Sequence, residues 1–247
     1  MIFHHNNFIK TTKKAPKLKT ALAETTNAVL LCELTEVCHY GKKLVRTNMN
    51  IYHQNAAAFV AQYESVSAEQ VHQSWLHLLP SAGSANFALD VGAGSGRDAR
   101  FLAAQGFQVV AVEPAENLRH AAMALTNTDK IQWFADELPA LTQIPALSQD
   151  FALILLSAVW MHLTREQREA SLLTLTKLLA PAGLLVITLR HGSFSDGRIT
   201  HPVSVAEIDT LISQYQLELK LVLVSDLLTD SLGRGDVAWQ TVVLKKG

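Results

Sequence analysis

Short apolar runs alternate with amphipathic segments along most of the chain, a pattern typical of alternating strands and helices in an α/β fold. The run at 151–157 is continuously apolar, as expected for a strand in the middle of a parallel sheet. The last two runs are separated by turn residues without a helix, which predicts an antiparallel pair. In total the pattern predicts seven strands, at 87–91, 109–112, 131–135, 151–157, 184–189, 217–224 and 237–244.

The amphipathic segments between these runs predict the helices. Three of them begin at a capping box, in which Ser67, Thr164 or Ser204 precedes Gln or Glu by three positions. Pro181 and Gly183 predict a turn before the fifth strand. The elements together predict a doubly wound, seven-stranded, mostly parallel α/β sheet that ends in an antiparallel β-hairpin, with the first two helices covering one end of the sheet. The expected helices span 55–63, 67–79, 97–105, 116–125, 164–179 and 204–215.

Residues 1–50 differ from the remainder of the chain. They carry eight Lys and Arg against three Glu and show little apolar periodicity. We therefore expect a basic, poorly ordered N-terminal extension at 1–50, followed by one domain at 51–247. An alternative hypothesis is that Met49 is the biological start. Cys32 and Cys38 both lie in the extension, and their spacing predicts neither a disulfide framework nor a metal site.

The charge of the domain and the apolar runs limit the partners. Residues 51–247 carry thirteen Lys and Arg against nineteen Asp and Glu, and an acidic domain disfavours nucleic acid as a partner. The N-terminus has no apolar core of signal-peptide length, and the longest apolar run, at 151–163, is shorter than the roughly 20 residues that span a bilayer. We expect a soluble, cytoplasmic protein without a membrane segment. The pattern indicates no particular oligomeric state.

Three glycines at alternate positions, Gly92, Gly94 and Gly96, follow the first strand. Glycines there suit a tight turn that brings bare backbone N–H groups, free of other partners, close to a ligand at the start of the next helix. A dinucleotide loop has the spacing Gly-x-Gly-x-x-Gly, whereas the third glycine here comes one position early. The acid Asp90 also precedes the loop and would repel a pyrophosphate. This favours a ligand that lacks phosphate and carries a cationic group, while a nicotinamide or flavin site stays open.

From about Tyr52 to Gly247 the chain resembles the class I S-adenosylmethionine-dependent methyltransferases, which have a Rossmann-like fold. The segment Asp90-Val-Gly-Ala-Gly-Ser-Gly96 is similar to the family's acid-x-Gly-x-Gly-x-Gly loop. The stretch 151–162 resembles its fourth strand. Pro181-Ala-Gly stands before the fifth strand, where Pro-Gly-Gly is usual. The resemblance also implies a seventh strand inserted antiparallel.

The resemblance implies a methyltransferase that uses S-adenosyl-L-methionine as its cofactor. Glu113 stands where the family keeps the acid that accepts hydrogen bonds from both ribose hydroxyls. Asp136 stands beside the expected adenine, with backbone contacts from Glu137 and Leu138, and Ser157 is expected near the methionine end. The expected cofactor site comprises Asp90, Gly92, Ala93, Gly94, Gly96, Glu113, Pro114, Asp136, Glu137 and Ser157, with no metal ion.

Methyl transfer from a sulfonium mainly requires alignment and desolvation, and it requires a general base only where the acceptor must lose a proton. The candidate bases are His162, after the fourth strand, and His191, after the fifth, and both are expected to face the crevice as a base or as pocket lining. Arg190 is a candidate either for binding an acidic acceptor or for a structural ion pair. Arg97 is expected at the surface. The residues expected to line the pocket or to fill the core are Tyr52, Tyr63, Trp160, Met161 and Trp239.

The methyl acceptor is constrained only by what the chain lacks. After the fourth strand stands Ser157-Ala-Val-Trp160 rather than Asn/Asp-Pro-Pro-Tyr, which counts against methylation of base or glutamine amino groups. Together with the acidic domain, this favours a small-molecule acceptor, while a protein or tRNA acceptor stays open. Two hypotheses from other classes also stay open: a non-catalytic S-adenosylmethionine-binding protein and an NAD-dependent oxidoreductase.

Overall fold

The structure is a computed structural model, which describes residues 48–81, 86–144, 147 and 149–247. Residues 1–47 of the predicted basic extension, with Cys32 and Cys38, lie outside the described residues. The predicted domain boundary at residues 50 and 51 therefore stays a prediction. Within the described part of the chain, no helix is both long and apolar enough to cross a membrane.

The described elements form one sheet in the order β3-β2-β1-β4-β5-β8-β6, with the short β7 paired to β8. Strands β1 to β5 pair in parallel, and β8 lies antiparallel between β5 and β6, which confirms the fold class and the predicted antiparallel closing strands. The strands are β1 Phe87–Val91, β2 Gln108–Val112, β3 Ile131–Phe134, β4 Phe151–Leu156, β5 Leu179–His191, β6 Leu219–Val224, β7 Leu228–Thr229 and β8 Ala238–Lys246.

The helices begin where the capping residues predict. The side chain of Ser67 accepts from the Gln70 N–H while the Gln70 side chain accepts from the Ser67 N–H, and Thr164 and Gln167 repeat the arrangement. Seven helical segments are described, with a 3-10 turn at Leu76–Leu78 and another at Trp160–His162. They are α1 at 48–54, α2 Ala56–Glu64, α3 Ala68–His72, α4 Arg97–Ala104, α5 Glu116–Ala124, α6 Arg165–Leu178 and α7 Val205–Gln214.

Two predicted elements differ in extent. Helix α3 ends at His72 rather than continuing to residue 79, and the chain turns there so that the fully buried Trp75 can enter the core. The turn predicted at Pro181 is part of β5, because the pairing of β4 with β5 shifts there and residues 180–183 bulge out of the ladder. The bulge leaves Gly183 within the strand.

The sheet is buried on both faces, which explains why β4 is apolar throughout. Leu153 and Leu155 pack with α4 residues on one face, whereas Ile154 and Leu156 pack with α6 and α7 residues on the other. The N-terminal helices form a smaller cluster, in which Phe59 packs with Leu118 of α5. This arrangement leaves the carboxyl ends of the parallel strands, where ligands bind in such sheets, beneath α1 and α2.

Candidate active site

A cavity of about 310 Å³ lies at the carboxyl ends of the strands. The loops after β1, β2 and β3 line one part of it, and the loops after β4 and β5 line another together with residues of α1, α2, β7 and β8. Most of the predicted site residues line this cavity, whereas Asp90, Gly96 and His191 do not. Those that do are Gly92, Ala93, Gly94, Glu113, Pro114, Asp136, Glu137, Ser157 and His162.

The glycine loop does not offer a row of unused N–H groups. The N–H groups of Gly92 and Ala93 both donate to the carbonyl of Val112, at 2.8 and 2.9 Å. The Gly94 N–H donates to Glu113 Oε2, and the Gly96 N–H to the carbonyl of Ala93. The expectation of bare donors is therefore wrong for these four groups. The loop instead provides a close approach of backbone to the cavity, without an array of donors for phosphate.

The glycines are required by backbone conformation and by their neighbours. Gly92 has φ +71°, and a Cβ there would lie 2.6 Å from Cγ2 of Val159. Gly96 has φ +78° and precedes α4, and a Cβ there would lie 3.0 Å from the ring of Trp133. Gly92 thus permits the strand-end loops to approach each other, whereas Gly96 permits packing behind the loop.

Asp90, at the end of β1, is 1% exposed, and its Oδ2 has no hydrogen-bond partner among the described residues. Burial raises the pKa of Asp90 well above its ordinary value, and the nearby Asp98 adds to the shift, while Arg97 opposes it. A buried carboxyl with an unsatisfied oxygen beside the cavity fits a cationic ligand group, because such a group would favour its ionised form.

The start of α4 is held by a buried ion-pair network. Arg97 donates to both carboxylate oxygens of Asp98, at 2.8 and 3.0 Å, and to the carbonyl of Tyr63. The Trp75 indole donates to Nδ1 of His72, so His72 presents its Nε2 proton to Asp98 at 3.1 Å. Burial by itself would raise the pKa of Asp98, but His72 and Arg97 outweigh it and lower that pKa strongly. Arg97 is therefore a partly buried ion-pair residue, not the surface residue expected.

Glu113 joins the end of β2 to the glycine loop. Its Oε2 accepts from the Gly94 N–H at 3.0 Å, and its Oε1 accepts from the Ala115 N–H at 2.8 Å. Burial nevertheless raises the pKa of Glu113 to about 7, against these two hydrogen bonds. Each carboxylate oxygen has a second lone pair, so the group can still accept hydrogen bonds from a diol in the cavity.

Asp136 organises the loop after β3. Its Oδ1 accepts from the Glu137 N–H at 2.9 Å, and its Oδ2 accepts from the Gln143 N–H at 2.7 Å. Because both carboxylate oxygens already accept hydrogen bonds from backbone N–H groups of the loop, Asp136 has a structural role as well as a position in the cavity lining. Ser157 directly follows β4 in that lining, and the chain then bends at Ala158, whose φ is +60°.

Both ring nitrogens of His162 are engaged. Nε2 lies 3.0 Å from the Tyr52 hydroxyl, and Nδ1 lies 3.2 Å from the Ile199 carbonyl oxygen. The ring also stacks on Phe194, at 5.5 Å between centroids. Burial lowers the pKa of His162 to about 4, and the charges of Arg198 and Arg190 add to that shift. His162 faces the cavity as predicted, but as a neutral lining residue whose nitrogens already have partners.

His191 is not in the cavity lining, so the expectation that it faces the crevice is wrong. Successive side chains of a strand point to opposite faces. Thr188 and Arg190 line the cavity, whereas Leu189 packs in the core on the α6 side of the sheet. His191 lies two positions after Leu189, so its side chain points to the same face of the sheet as Leu189 and not into the cavity.

The aromatic residues divide between core and cavity. Trp160 is fully buried and packs in the core, while Met161 is buried and also contacts the cavity. Trp239 lines the cavity and donates its indole N–H to Asp230 at 2.7 Å. Tyr52 and Tyr63 both line the cavity from the N-terminal helices, as expected.

Several lining residues carried no signal in the sequence. Asn48 belongs to the predicted extension but is 6% exposed, and its side chain pairs with both the N–H and the carbonyl of Ile199. Phe194 and Arg198 come from the loop after β5, and Asp230 from the segment before β8. No local motif marks these residues, since each reaches the cavity only through tertiary packing.

Comparison with known proteins agrees with this geometry. Residues 88–183 match the model of a protein family described as a methyltransferase domain. No curated protein sequence matches the chain significantly. Many solved structures share the fold, and the three described next are each less than 25% identical to this chain.

One neighbour is the N-methyltransferase NodS from Bradyrhizobium japonicum with S-adenosylhomocysteine, at 18% identity and TM-score 0.60, covering 81% of this chain and 98% of that one. Another is the 1,6-didemethyltoxoflavin-N1-methyltransferase of Burkholderia thailandensis, at 19% identity and TM-score 0.52, covering 96% and 93%. A third is the magnesium protoporphyrin IX methyltransferase of Synechocystis with bound S-adenosylmethionine, at 13% identity and TM-score 0.51, covering 96% and 100%.

The fold and the cavity thus define the class I methyltransferase architecture. Residues 88–183 match a methyltransferase domain, and the chain shares its fold with S-adenosylmethionine-dependent methyltransferases. These similarities agree with the enzyme class and the cofactor that the resemblance implies.

Proposed function

We propose that the chain binds S-adenosylmethionine with its adenosine half at the loops after β1, β2 and β3, and transfers the methyl group to a small molecule near the ends of β4, β5 and β8. The observation that carries this proposal is the link between Glu113 and Gly94. A carboxylate and an internally bonded glycine loop occupy the place where a dinucleotide site presents N–H donors to a pyrophosphate. An adenosyl ligand without phosphate suits this arrangement, whereas NAD does not.

The predicted cofactor residues would each contact a different part of the ligand. Glu113 would accept from the ribose hydroxyls, and Asp136 with Glu137 would lie at the adenine. Ser157, at the end of β4, would meet the methionine end, and Asp90 would act on it from behind the lining through the charge of its unsatisfied carboxyl. Gly92, Ala93, Gly94 and Pro114 would provide close backbone contact, while Gly96 would act through the packing of the loop.

The bound cofactor supplies an activated methyl group on a sulfonium. The protein then has to align the acceptor with the S–CH₃ bond and exclude water, because the thioether leaves without a proton. His162, with a pKa of about 4 and both nitrogens engaged, suits positioning of Tyr52 better than proton removal. We therefore propose that the acceptor attacks through an atom that already carries an available lone pair at neutral pH.

A small-molecule acceptor is supported by the shape and charge of the site. The acceptor end is part of a cavity of about 310 Å³ that residues of α1 and α2 help to line, and residues 51–247 have an excess of acids. The Burkholderia neighbour was solved with 1,6-didemethyltoxoflavin, a small molecule, which supports the same class of acceptor. We propose that this chemistry takes place in the cytoplasm.

Thermal unfolding with S-adenosylhomocysteine or with NADH tests the cofactor assignment, because a ligand that binds only the folded state raises the melting temperature. We expect a rise with S-adenosylhomocysteine and none with NADH. A rise with NADH alone would refute the methyltransferase assignment and favour an oxidoreductase. Transfer of labelled methyl from S-adenosylmethionine into a metabolite extract then separates an enzyme from a non-catalytic binding protein, which would show the thermal shift without incorporation.

A further inference from the structure

Arg190 is a buried cation without a carboxylate partner among the described residues. It is 4% exposed, and its guanidinium donates to the backbone carbonyls of Gly192 and Ser193 while its Nε has no partner. The other arginines that line the cavity each pair with an acid: Arg97 with Asp98, Arg198 with Asp196 and Arg234 with Asp230. A buried charge that lacks an opposite charge is costly to retain in a fold.

The side chain of Phe194 brings a second cation to the same place. The Cζ atom of Arg190 lies 3.9 Å from the centre of the Phe194 ring, and the Cζ atom of Arg198 lies 3.7 Å from it. Arg198 also donates to the Tyr52 hydroxyl at 2.9 Å. All four side chains line the cavity. The ring therefore holds two guanidinium groups together beside the acceptor end of the site.

The surrounding charges do not neutralise Arg190. Burial lowers the pKa of Arg190 and the nearby cations Arg234 and Arg198 lower it further, whereas Asp236 and Asp230 oppose this shift without reversing it. Asp230 is already bonded to Arg234 and to the Trp239 indole, and Asp236 is exposed to solvent and makes no ion pair with Arg190. Asp196 is likewise held by Arg198 through both carboxylate oxygens. Among the described residues, Arg190 therefore has no anionic partner on the side that faces the cavity.

We propose that the methyl acceptor is a small organic anion whose carboxylate or phosphate is bound by Arg190, with Arg198 as the second cation. This inference rests on the proposed function, and it specifies the substrate class of the same cavity. Arg190 is on β5, which borders β4 and Ser157, so an anion held there leaves the remainder of the acceptor directed toward the methionine end. A charge-assisted hydrogen bond to the anion would satisfy the buried Nε.

The test uses the full chain and labelled methyl transfer into a metabolite extract, before and after the extract is depleted of anions on an anion-exchange resin. We expect depletion to abolish incorporation. We expect R190M to raise the KM for the active fraction about 10-fold to 100-fold, with R190K intermediate. R165M, which removes an exposed arginine of α6, is the charge-matched control and should leave incorporation unchanged.

The outcomes separate this inference from the proposed function. Incorporation that survives anion depletion, or a KM that is equal in R190M and R165M, would overturn the anionic acceptor. An unchanged thermal shift of R190M with S-adenosylhomocysteine shows that the variant is folded and binds cofactor. Benzoate and methyl phosphate, added as competitors, distinguish a carboxylate from a phosphate as the bound group. Failure of the wild-type chain to bind S-adenosylhomocysteine or to incorporate label would instead refute the proposed function, and this inference with it.

Discussion

The carboxylate of Glu113 accepts a 3.0 Å hydrogen bond from the backbone N–H of Gly94, and this bond fixes the end of β2 against the loop that follows β1. Its other oxygen accepts from the N–H of Ala115, which precedes α5. One buried side chain thus sets the relative position of three segments that line the cavity. The shape of the adenosine end depends on this acid as well as on the glycines.

Replacement of Glu113 tests its proposed contact with the ribose. We expect E113A to weaken S-adenosylhomocysteine binding by about 1.5–3 kcal/mol, because it removes charged hydrogen bonds to a diol. E113Q keeps the size of the side chain and one acceptor oxygen, so we expect a smaller loss. Isothermal titration measures both affinities. An affinity of E113A equal to that of the wild type would remove Glu113 from the cofactor site.

The pKa of Glu113 predicts an unusual pH dependence for the ligand-free protein. Burial raises this pKa from 4.5 to about 7, so the neutral carboxyl is favoured in the folded state. The stability that results is fully present below about pH 4.5 and is lost as the pH rises through about 7, a change on the order of 3 kcal/mol.

Urea unfolding from about pH 5 to about pH 8.5 measures this change. E113Q cannot ionise and should show a flatter profile than the wild type over the same range. Binding of S-adenosylhomocysteine should strengthen as the pH rises through about 7, because the ribose requires the ionised form. Parallel profiles for the two proteins would mean that Glu113 titrates near its ordinary pKa.

The parts of the site that were predictable lie within continuous stretches of sequence. The strand, the alternate glycines and the acid nineteen positions after Gly94 are local signals, and they locate Asp90, Gly92 and Glu113. His191 was misplaced because the sequence does not show which parity of β5 faces the cavity. That parity depends on the register of β5 against its neighbours and on the bulge at residues 180–183.

Most residues at the acceptor end of the cavity could not be predicted from the sequence. Phe194 and Arg198 lie in a loop without a motif, and Asn48 lies beyond the predicted boundary of the domain. Their proximity follows from the packing of α1 against the loop after β5, through contacts such as that between Asn48 and Ile199, 151 residues apart. Such contacts have no periodicity from which to predict them.

Asn48 should stabilise the packing of α1 against the loop after β5, beside the cavity. Its side chain donates to the Ile199 carbonyl at 2.9 Å and accepts from the Ile199 N–H at 2.7 Å. We expect N48A to lower the free energy of unfolding by about 1–3 kcal/mol, because it leaves these partly buried groups unsatisfied. N55A, which removes an exposed amide between α1 and α2 that makes no capping hydrogen bond, is the control and should cost less than about 0.5 kcal/mol. Urea denaturation compares them, and equal losses would contradict a special role for Asn48.

Gly92 should tolerate no side chain for two separable reasons. G92A would place a Cβ at φ +71°, which costs about 1–2 kcal/mol, and would also bring that Cβ to 2.6 Å from Val159. G233A has a similar φ of +73° with nothing within 4 Å, so it should show the conformational cost alone. We expect G92A to destabilise more than G233A in thermal unfolding, and the added V159A to restore part of the difference. Equal effects of G92A and G233A would show that the loop shifts to accommodate the methyl group.

His162 should prove dispensable as a base. Its pKa of about 4 keeps the ring neutral at working pH, and its nitrogens face the Tyr52 hydroxyl and the Ile199 carbonyl. General base catalysis contributes about 10²- to 10⁴-fold, so removal of a true base would lower kcat by that amount and remove the acidic limb of its pH profile. We expect H162Q, which can retain a hydrogen bond to Tyr52, to keep kcat within about 10-fold of the wild type with the same profile. Y52F removes the hydroxyl from the same contact. If His162 acts through Tyr52, Y52F and H162Q should change KM by similar factors. A collapse of kcat in H162Q with little change in KM would instead identify His162 as the base.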